Sequence, residues 1–307
     1  MAISTAQVTR ARELHDVMEK YIETRRRAFS PYVQRIAADT GLSERAVLFF
    51  GYVRPLVNAD LVTEADLKRR VCYQAKRPWV QRWQELVGTG HAEPATDGWR
   101  ITPKGHALID RFWAANREHQ CSLPLPAEPL RRVVSVIEAI LKDVPSQPGE
   151  RVHMIRRTAP DDRPKQPDAV RVEFAMFELA VTLDDGHISA WRTAGYDGPS
   201  VDVLTRVWYG KERWDDLVQA LSFTQEPADV ERNVRELIER GDLAREGDRV
   251  TLTAQGRGTR ERIEQETDRL GLARWPSGAA LESLIADVSA LVAGLPPEDQ
   301  LPSGPTH

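Results

Sequence analysis

The chain has 307 residues, of which 41% are hydrophobic and 29% charged, and its formal net charge at pH 7 is −4. This length and composition are typical of a soluble protein that buries two cores. The N-terminus has no apolar signal-peptide core, and the apolar run Val133–Leu141 is short and interrupted by Glu138, so we expect no membrane association. The widely spaced Cys72 and Cys121 exclude a disulfide framework, which fits a reducing, cytoplasmic location.

Helical spacing of apolar residues predicts a packing or association helix over residues 7–28 at the start of the chain. Arg25, Arg26 and Arg27 follow as its solvated end, where cations suit the helix dipole. Shorter helices are expected over Tyr32–Ala38 and Ser43–Pro55, the second capped by the Ser43 hydroxyl.

The next segment predicts helix, turn, helix, β-hairpin, helix. The elements are a helix over Thr63–Val71, the turn "CYQAK", a helix with Pro78 near its first turn that ends near Gly88 or Gly90, strands His91–Pro94 and Trp99–Thr102 around Asp97 and Gly98, and a helix over Pro103–His119. An amphipathic helix over Pro126–Val144 follows. This order is that of a winged helix-turn-helix domain.

An internal repeat supports this assignment. Residues 80–112 align without a gap with residues 231–263 at an offset of 151, and Gly90, Thr102 and Gly105 meet identical residues. The second copy predicts helices over Arg213–Ala220 and Pro227–Arg240, a hairpin over Asp242–Thr253 and a helix from Ala254. Upstream, Asp184 and Asp185 beside Gly186 indicate a turn before a helix.

The predicted fold is mainly α with small β-hairpin wings, in tandem winged helix-turn-helix domains. We expect a first domain over 1–146 that includes the association helix, a linker over 147–171 rich in proline and charge, a second domain over 172–295 and a disordered tail over 296–307.

Both copies resemble the MarR-like winged-helix regulators in the segments "ITPKGHALIDRF" and "LTAQGRGTRERI". Thr102 and Thr253 stand where a hydroxyl can cap the helix after the wing. Residues 172–295 are also similar to poorly characterised actinobacterial helix-turn-helix proteins. The MarR-like resemblance implies binding of double-stranded DNA by two recognition helices, here within one chain as a pseudo-dimer, and a small-molecule effector. The chain is then a monomer, or a homodimer if the first helix pairs between chains.

Candidate DNA-binding residues lie on the predicted recognition helices, the wings and the preceding helix. In the first copy they are Lys68, Arg69, Arg70, Lys76, Arg77, Gln81, Arg82, Gln84 and Arg100. In the second copy they are Arg232, Asn233, Arg235, Arg245 and Arg249. Arginine can bind guanine and glutamine can bind adenine, whereas basic residues at a helix start suit phosphate. A solvated helix surface is the alternative interpretation.

The two copies differ in charge. Residues 1–150 contain 22 basic and 18 acidic residues, and the remainder contains 20 and 28. Acidic side chains at Asp229 and Glu231 lie at the start of the second recognition helix and repel phosphate. We therefore expect the first copy to dominate DNA contact.

An aromatic effector pocket is a further hypothesis, with Trp83, Trp113, His187, Trp191 and Trp208 as its candidate residues. Ordinary core packing is the alternative for the tryptophans. We find no nucleophile, phosphate-loop or metal-ligand motif, so we expect no enzyme activity, cofactor or metal. The alternative function is a ligand-sequestering or protein-interaction module without DNA binding. A glycosylase-like repair enzyme is a third hypothesis, and it lacks a candidate catalytic pair.

Overall fold

The structure is a computed structural model that describes residues 4–53, 61–144, 153 and 165–302. At positions 52, 53, 70, 76 and 77 it describes the backbone alone. We refer to residues 4–144 as the first half and to residues 165–302 as the second half.

The first half consists of helices around a small antiparallel sheet of strand order β1-β3-β2. Its elements are α1 (Thr5–Thr40), α2 (Glu44–Val53), β1 (Leu61–Thr63), α3 (Glu64–Arg70), α4 (Lys76–Gly88), β2 (Ala92–Ala95), β3 (Gly98–Ile101), α5 (Pro103–Ser122) and α6 (Ala127–Leu141). Trp99 of β3 pairs with Val62 on one side and with Pro94 on the other.

The second half repeats this order. Its elements are α7 (Asp168–Thr193), α8 (Gly198–Trp208), α9 (Trp214–Leu221), α10 (Pro227–Glu239), β4 (Leu243–Glu246), β5 (Arg249–Leu252), α11 (Ala254–Gly271) and α12 (Gly278–Ala293). A single bridge between Arg213 and Arg249 takes the place of the pairing between β1 and β3. The predicted helices and hairpins of both copies are found close to their expected positions.

The wing base has the same hydrogen bonds in both halves. The hydroxyls of Thr102 and Thr253 accept from the backbone N–H groups of Gly105 and Gly256 at 3.1 and 3.0 Å, which confirms both as helix caps. A Cβ added at Gly105 or Gly256 would stand 2.1 or 2.0 Å from a carbonyl oxygen, at His91 and Asp242 respectively. The conserved spacing in the repeat therefore reflects a close approach that only glycine permits.

Helix α1 is continuous where two helices were expected. Pro31 lies inside it, although proline removes a backbone donor and crowds the preceding turn. The helix continues because its N-terminal part packs into one core through Leu14 and Met18, and its C-terminal part into another through Phe29 and Val33. Tertiary packing on both sides of Pro31 offsets its cost.

The arginines of α1 correct a second expectation. Arg25 is fully buried in the middle of the helix and forms an ion pair with the buried Glu173 of α7. Arg25 also donates to Asn116 of α5 at 2.6 Å, and Gln120 of α5 donates to Glu173. The predicted solvated helix end is wrong here, because this cation belongs to a polar network that joins both halves.

Helix α7 replaces the turn predicted at Asp184 and Asp185. Gly186 lies within the helix, where an added Cβ would meet the backbone nitrogen of Gly271 in α11 at 2.6 Å. Residues on all faces of α7 are buried, so its sequence lacks the one-sided apolar stripe that identifies a surface helix. The two glycines allow α7 and α11 to cross with their backbones in contact.

A core shared by both halves is formed by α1, α6, α7 and α12. The apolar face of α1, with Leu14, Met18 and Tyr21, packs against helices of the same chain. The first half has a second core under α2, α4 and α5, and the second half has one under α8, α9 and α10. The association predicted for the first helix thus takes place within the chain.

The segment Gly278–Gln300 has the length and the apolar composition of a membrane span, with a mean hydropathy of 1.5 in its most apolar window of 18 residues. Its helix α12 places Leu284 and Val288 in the shared core, and Asp287 pairs with Arg132 of α6 at 2.6 Å. Core helices of soluble proteins can have the same length and composition, and 39% of this window is buried.

The segments between and after the domains are described in part. Residues 168–171 of the predicted linker belong to α7, and its residues 147–152 and 154–164 lie outside the described part. Within the predicted tail, Glu298–Gln300 form a 3-10 turn, whereas residues 303–307 lie outside the described part.

Candidate nucleic-acid interface

Helix α4 carries the predicted DNA-reading residues of the first half. It buries Trp79, Trp83 and Leu86 as predicted, and Gln81 and Gln84 are exposed. Arg82 is not on the exposed face, since only 7% of it is accessible. The expectation that Arg82 lies off the buried stripe is wrong, because a surface from the second half covers it.

The hydrogen-bond acceptors of Arg82 are neutral groups. Its guanidinium donates to the side-chain oxygen of Gln74 at 3.2 Å and to the backbone carbonyl of Phe223 at 3.2 Å. It also lies over the rings of Phe49 and Phe223, at 5.4 and 4.5 Å from their centroids. Burial, together with the nearby charge of Arg45, lowers the pKa of Arg82 to about 10.

The turn before α4 meets the turn before α10. The backbone N–H of Ala75 donates to the carbonyl of Thr224 at 2.8 Å. We call the contact of Ala75 and Arg82 with Phe223 and Thr224 the interturn contact. It joins the two turns that precede the predicted recognition helices.

A second contact lies beside the interturn contact, where the loop after α3 packs on α7 and α8. A Cβ added at Gly198 would stand 1.9 Å from the carbonyl oxygen of Cys72. Tyr73 stacks on His187, with ring centroids 5.9 Å apart, and its hydroxyl lies 3.0 Å from Nδ1 of that histidine. The loop after α3 in the first half therefore packs closely against the second half.

In α10, Asn233 is 2% exposed, and its amide donates to the side chain of Gln225 at 2.7 Å. This burial removes Asn233 from the surface on which it was expected. Arg235 is exposed, and Arg232 is paired with Asp229 at 2.9 Å.

The wing arginines of the second half are engaged by carboxylates of the same half. Arg245 pairs with Glu231 at 2.9 Å, and Arg249 pairs with Glu212 at 2.5 Å. The acidic residues near α10 thus neutralise its basic neighbours locally, which reduces the attraction of this surface for phosphate.

The remaining candidates of the first half lie at the surface. Lys68 and Arg69 of α3 are 3.3 and 3.5 Å from Glu64 and Asp66, and both cations are largely exposed. Arg100 on the wing is exposed and lies 3.5 Å from Glu93. The side chains of three further candidates lie outside the described residues: Arg70, Lys76 and Arg77. Lys68, Arg69, Gln81, Gln84 and Arg100 therefore form the exposed candidate set.

The five predicted effector residues do not meet in one place. Trp83 stacks on Trp99 at 5.1 Å in the core of the first half, and Trp113 donates to the carbonyl of Gly51 at 3.0 Å. Trp208 lies under the guanidinium of Arg257 at 5.6 Å. Core packing, the alternative interpretation, is thus found for Trp83 and Trp113, whereas Trp208 is half-buried outside the cores.

His187 and Trp191 are brought together by Tyr73, which lies 6.2 Å from the Trp191 ring. Burial lowers the pKa of His187 to about 4, and the charge of Arg260 acts in the same direction. Burial also raises the pKa of Tyr73 well above its ordinary value. Both groups are therefore neutral near pH 7. Tyr73 was not among the candidate residues predicted from the sequence.

Gln74 and Gln225 were also missed. They are related by the offset of 151, as are Arg82 and Asn233, so extending the ungapped alignment six positions upstream of Val80 would have found the pair. The contact between Arg82 and Phe223 has no such sequence signal, because it joins non-equivalent positions of the repeat.

Comparison with known families decides the class of the second half. Residues 184–302 match the model of a family described as a helix-turn-helix family. This half contains a helix-turn-helix domain. A search among curated proteins gave no match, and neither did a search among solved structures. In the matched segment, α9 and α10 stand on either side of the turn 222–226, and a domain of this kind suggests a DNA-binding regulator.

Proposed function

We propose that the protein is a cytoplasmic, non-enzymatic transcriptional regulator in which two MarR-like winged-helix domains form a pseudo-dimer within one chain. The observation that carries this proposal is the recurrence of one order of elements, with the same wing-base hydrogen bonds at Thr102 and Thr253. The shared core of α1, α6, α7 and α12 supports it, because helices from both halves contribute.

The first half is the main DNA-binding unit in this proposal. Its exposed candidates Lys68, Arg69 and Arg100 lie on α3 and the wing, and Gln81 and Gln84 lie on α4. The excess of basic residues in residues 1–150 favours phosphate, whereas the remainder of the chain has an excess of acidic residues. The wing arginines of the second half also lie closer to their carboxylates, at 2.9 and 2.5 Å, than Lys68, Arg69 and Arg100 do. We expect a monomer, because α1 is covered by its own chain.

Fluorescence anisotropy with a library of labelled genomic fragments tests the proposal. We expect binding whose logarithmic affinity falls linearly with the logarithm of salt concentration, since basic side chains displace counterions from DNA. A single-domain winged helix of known specificity serves as the positive control for the library. Absence of binding at low salt would contradict the proposal.

A ligand-binding or protein-interaction module without DNA binding is the second candidate function. The burial of Arg82 and Asn233 favours it, because both would otherwise be central to base reading. Under either function, we place a small-molecule effector beside Tyr73, His187 and Trp191, where two of the predicted effector residues are brought together. Thermal stabilisation by a small molecule, combined with no DNA affinity, would favour this candidate.

A further inference from the structure

We propose that the interturn contact is autoinhibitory: it keeps Arg82 off the base-reading surface of α4 and holds the starts of α4 and α10 together, and DNA binding requires the turns before these helices to separate. This inference rests on the proposed function and goes beyond it by naming the residues that control access. It concerns Ala75, Arg82, Phe223 and Thr224.

The geometry of DNA is the first argument. Two recognition helices that read adjacent major grooves must be about 34 Å apart, one turn of the duplex. Here the turn before α4 donates a backbone hydrogen bond to the turn before α10, from Ala75 to Thr224 at 2.8 Å. With their preceding turns in direct contact, α4 and α10 begin too close together to enter two major grooves that are one turn apart.

The position of Arg82 is the second argument. It is the one arginine of α4 whose side chain the structure describes, and the second half covers it with Phe223. Arginine on this helix is the residue type best suited to guanine in the major groove. Closure therefore removes the side chain from the reading surface of α4.

Arg82 can exchange its hydrogen-bond acceptors in the interturn contact for acceptors on DNA. Among the described residues, the hydrogen-bond partners of Arg82 are an amide oxygen and a backbone carbonyl, both neutral. A guanidinium forms stronger hydrogen bonds with anionic acceptors. DNA offers phosphate oxygens and the guanine edge, so it can compensate for the partners that Arg82 loses when the turns part.

The packing around the interturn contact determines how much the closed state lowers the DNA affinity. Tyr73 and Gly198 add packing beside the interturn contact, so the open state is the minor one in the free protein. A binding-competent state that is populated only in part reduces the apparent affinity by that fraction. Opening should raise DNA affinity, and locking should lower it.

Two substitutions at Ala75 give a matched pair. Its φ is −63°, the value that proline prefers, so Ala75→Pro removes the N–H that donates to Thr224 without imposing a new backbone angle. Ala75→Gly keeps the N–H and is the control. We expect DNA affinity to rise by about tenfold in Ala75→Pro, and to stay near the parental value in Ala75→Gly.

A reversible lock provides the opposite test. Ala75→Cys with Thr224→Cys, in a background with Cys72→Ser and Cys121→Ser, places two thiols where the backbones touch. We expect the oxidised protein to bind DNA at least about tenfold more weakly than the same protein after reduction. This arm remains decisive if Ala75→Pro does not fold.

The outcomes separate the two proposals. Equal DNA affinity of the oxidised, reduced and parental proteins would overturn autoinhibition and leave the proposed DNA-binding function intact. Absence of DNA binding by every form, including the reduced and Ala75→Pro proteins, would overturn the proposed function and autoinhibition with it. Circular dichroism of each variant establishes that folded proteins are being compared.

Discussion

Arg82 and Asn233 occupy equivalent positions of the repeat, 151 residues apart, and each donates to a glutamine eight residues earlier in the chain. Their partners, Gln74 and Gln225, are themselves equivalent. Both donors are buried, 7% and 2% exposed. Both halves thus contain a hydrogen bond from a buried side chain of the predicted recognition helix to a glutamine in the preceding turn. The donor is an arginine in the first half and an asparagine in the second.

Replacing Gln225 by alanine should destabilise the second half. The amide of Asn233 would lose its acceptor in a buried place, and the Pro199 carbonyl would lose the donor that now lies at 3.0 Å. A buried polar group without a partner costs about 1–3 kcal/mol in the free energy of unfolding. Urea denaturation measures this, with the exposed Gln84→Ala as the control. An equal midpoint for both variants would disprove the role of the pair.

Alanine at Gly186 should destabilise the protein although alanine is the better helix former. The new Cβ would stand 2.6 Å from the backbone of Gly271, which cannot move aside as a side chain could. Overpacking of this kind costs about 1–3 kcal/mol. Gly258→Ala in α11 is the matched control, because its Cβ would meet only the end of the Arg262 side chain, at 3.5 Å. We expect a higher melting temperature for that control and a lower one for Gly186→Ala.

Glu173→Gln should be among the most destabilising conservative changes in the chain. It removes the carboxylate paired with the fully buried Arg25, and breaking one side of a buried pair costs about 3–5 kcal/mol. Glu282→Gln removes an exposed partner of Arg10 and should have little effect. Guanidinium denaturation compares the two. Similar small losses would show that Arg25 does not depend on this carboxylate.

Acidification should weaken the fold through His119 and His187. Burial lowers the pKa of both to about 4, from an ordinary value of 6.5. As pH falls from about 6.5 to 4, these histidines therefore bind more protons in the unfolded chain than in the folded protein. For each histidine, the free energy of unfolding decreases over this range by up to about 1.4 kcal/mol per pH unit. Above this range the contribution of both histidines is constant.

The double variant His119→Gln, His187→Gln isolates this effect. Its free energy of unfolding should change less steeply between pH 6.5 and 4.5 than that of the parent, whatever its stability at pH 7. Urea denaturation at a series of pH values provides the slopes. Parallel curves for the two proteins would assign the acid sensitivity to other groups.

Lys68→Ala combined with Arg69→Ala should weaken DNA binding uniformly across sequences. If each side chain neutralises one phosphate, the slope of log affinity against log salt should become shallower by about 2. Arg269→Ala is the control, since Arg269 is an exposed arginine of α11 that pairs with Glu266 and is not a DNA-binding candidate. An unchanged slope in the double variant, beside clear binding by the parent, would move the interface away from α3.

The repeat determined much of what could be expected from the sequence. Thr102, Gly105 and their counterparts predicted the wing bases, because capping and close backbone approach depend on local residue types. The helices before each wing followed from their apolar stripes. Helix α7 did not, because burial on all sides leaves no periodic contrast between faces.

The sequence by itself thus determined the local elements, their repeated order and the charge difference between the halves. Only the tertiary structure decided that Arg82 is covered by Phe223, that Arg25 is a buried partner of Glu173, and that α1 remains helical through Pro31. The physical reason is the range of the interactions. Caps, turns and stripes act over a few residues, whereas burial of a side chain depends on which distant surface packs against it.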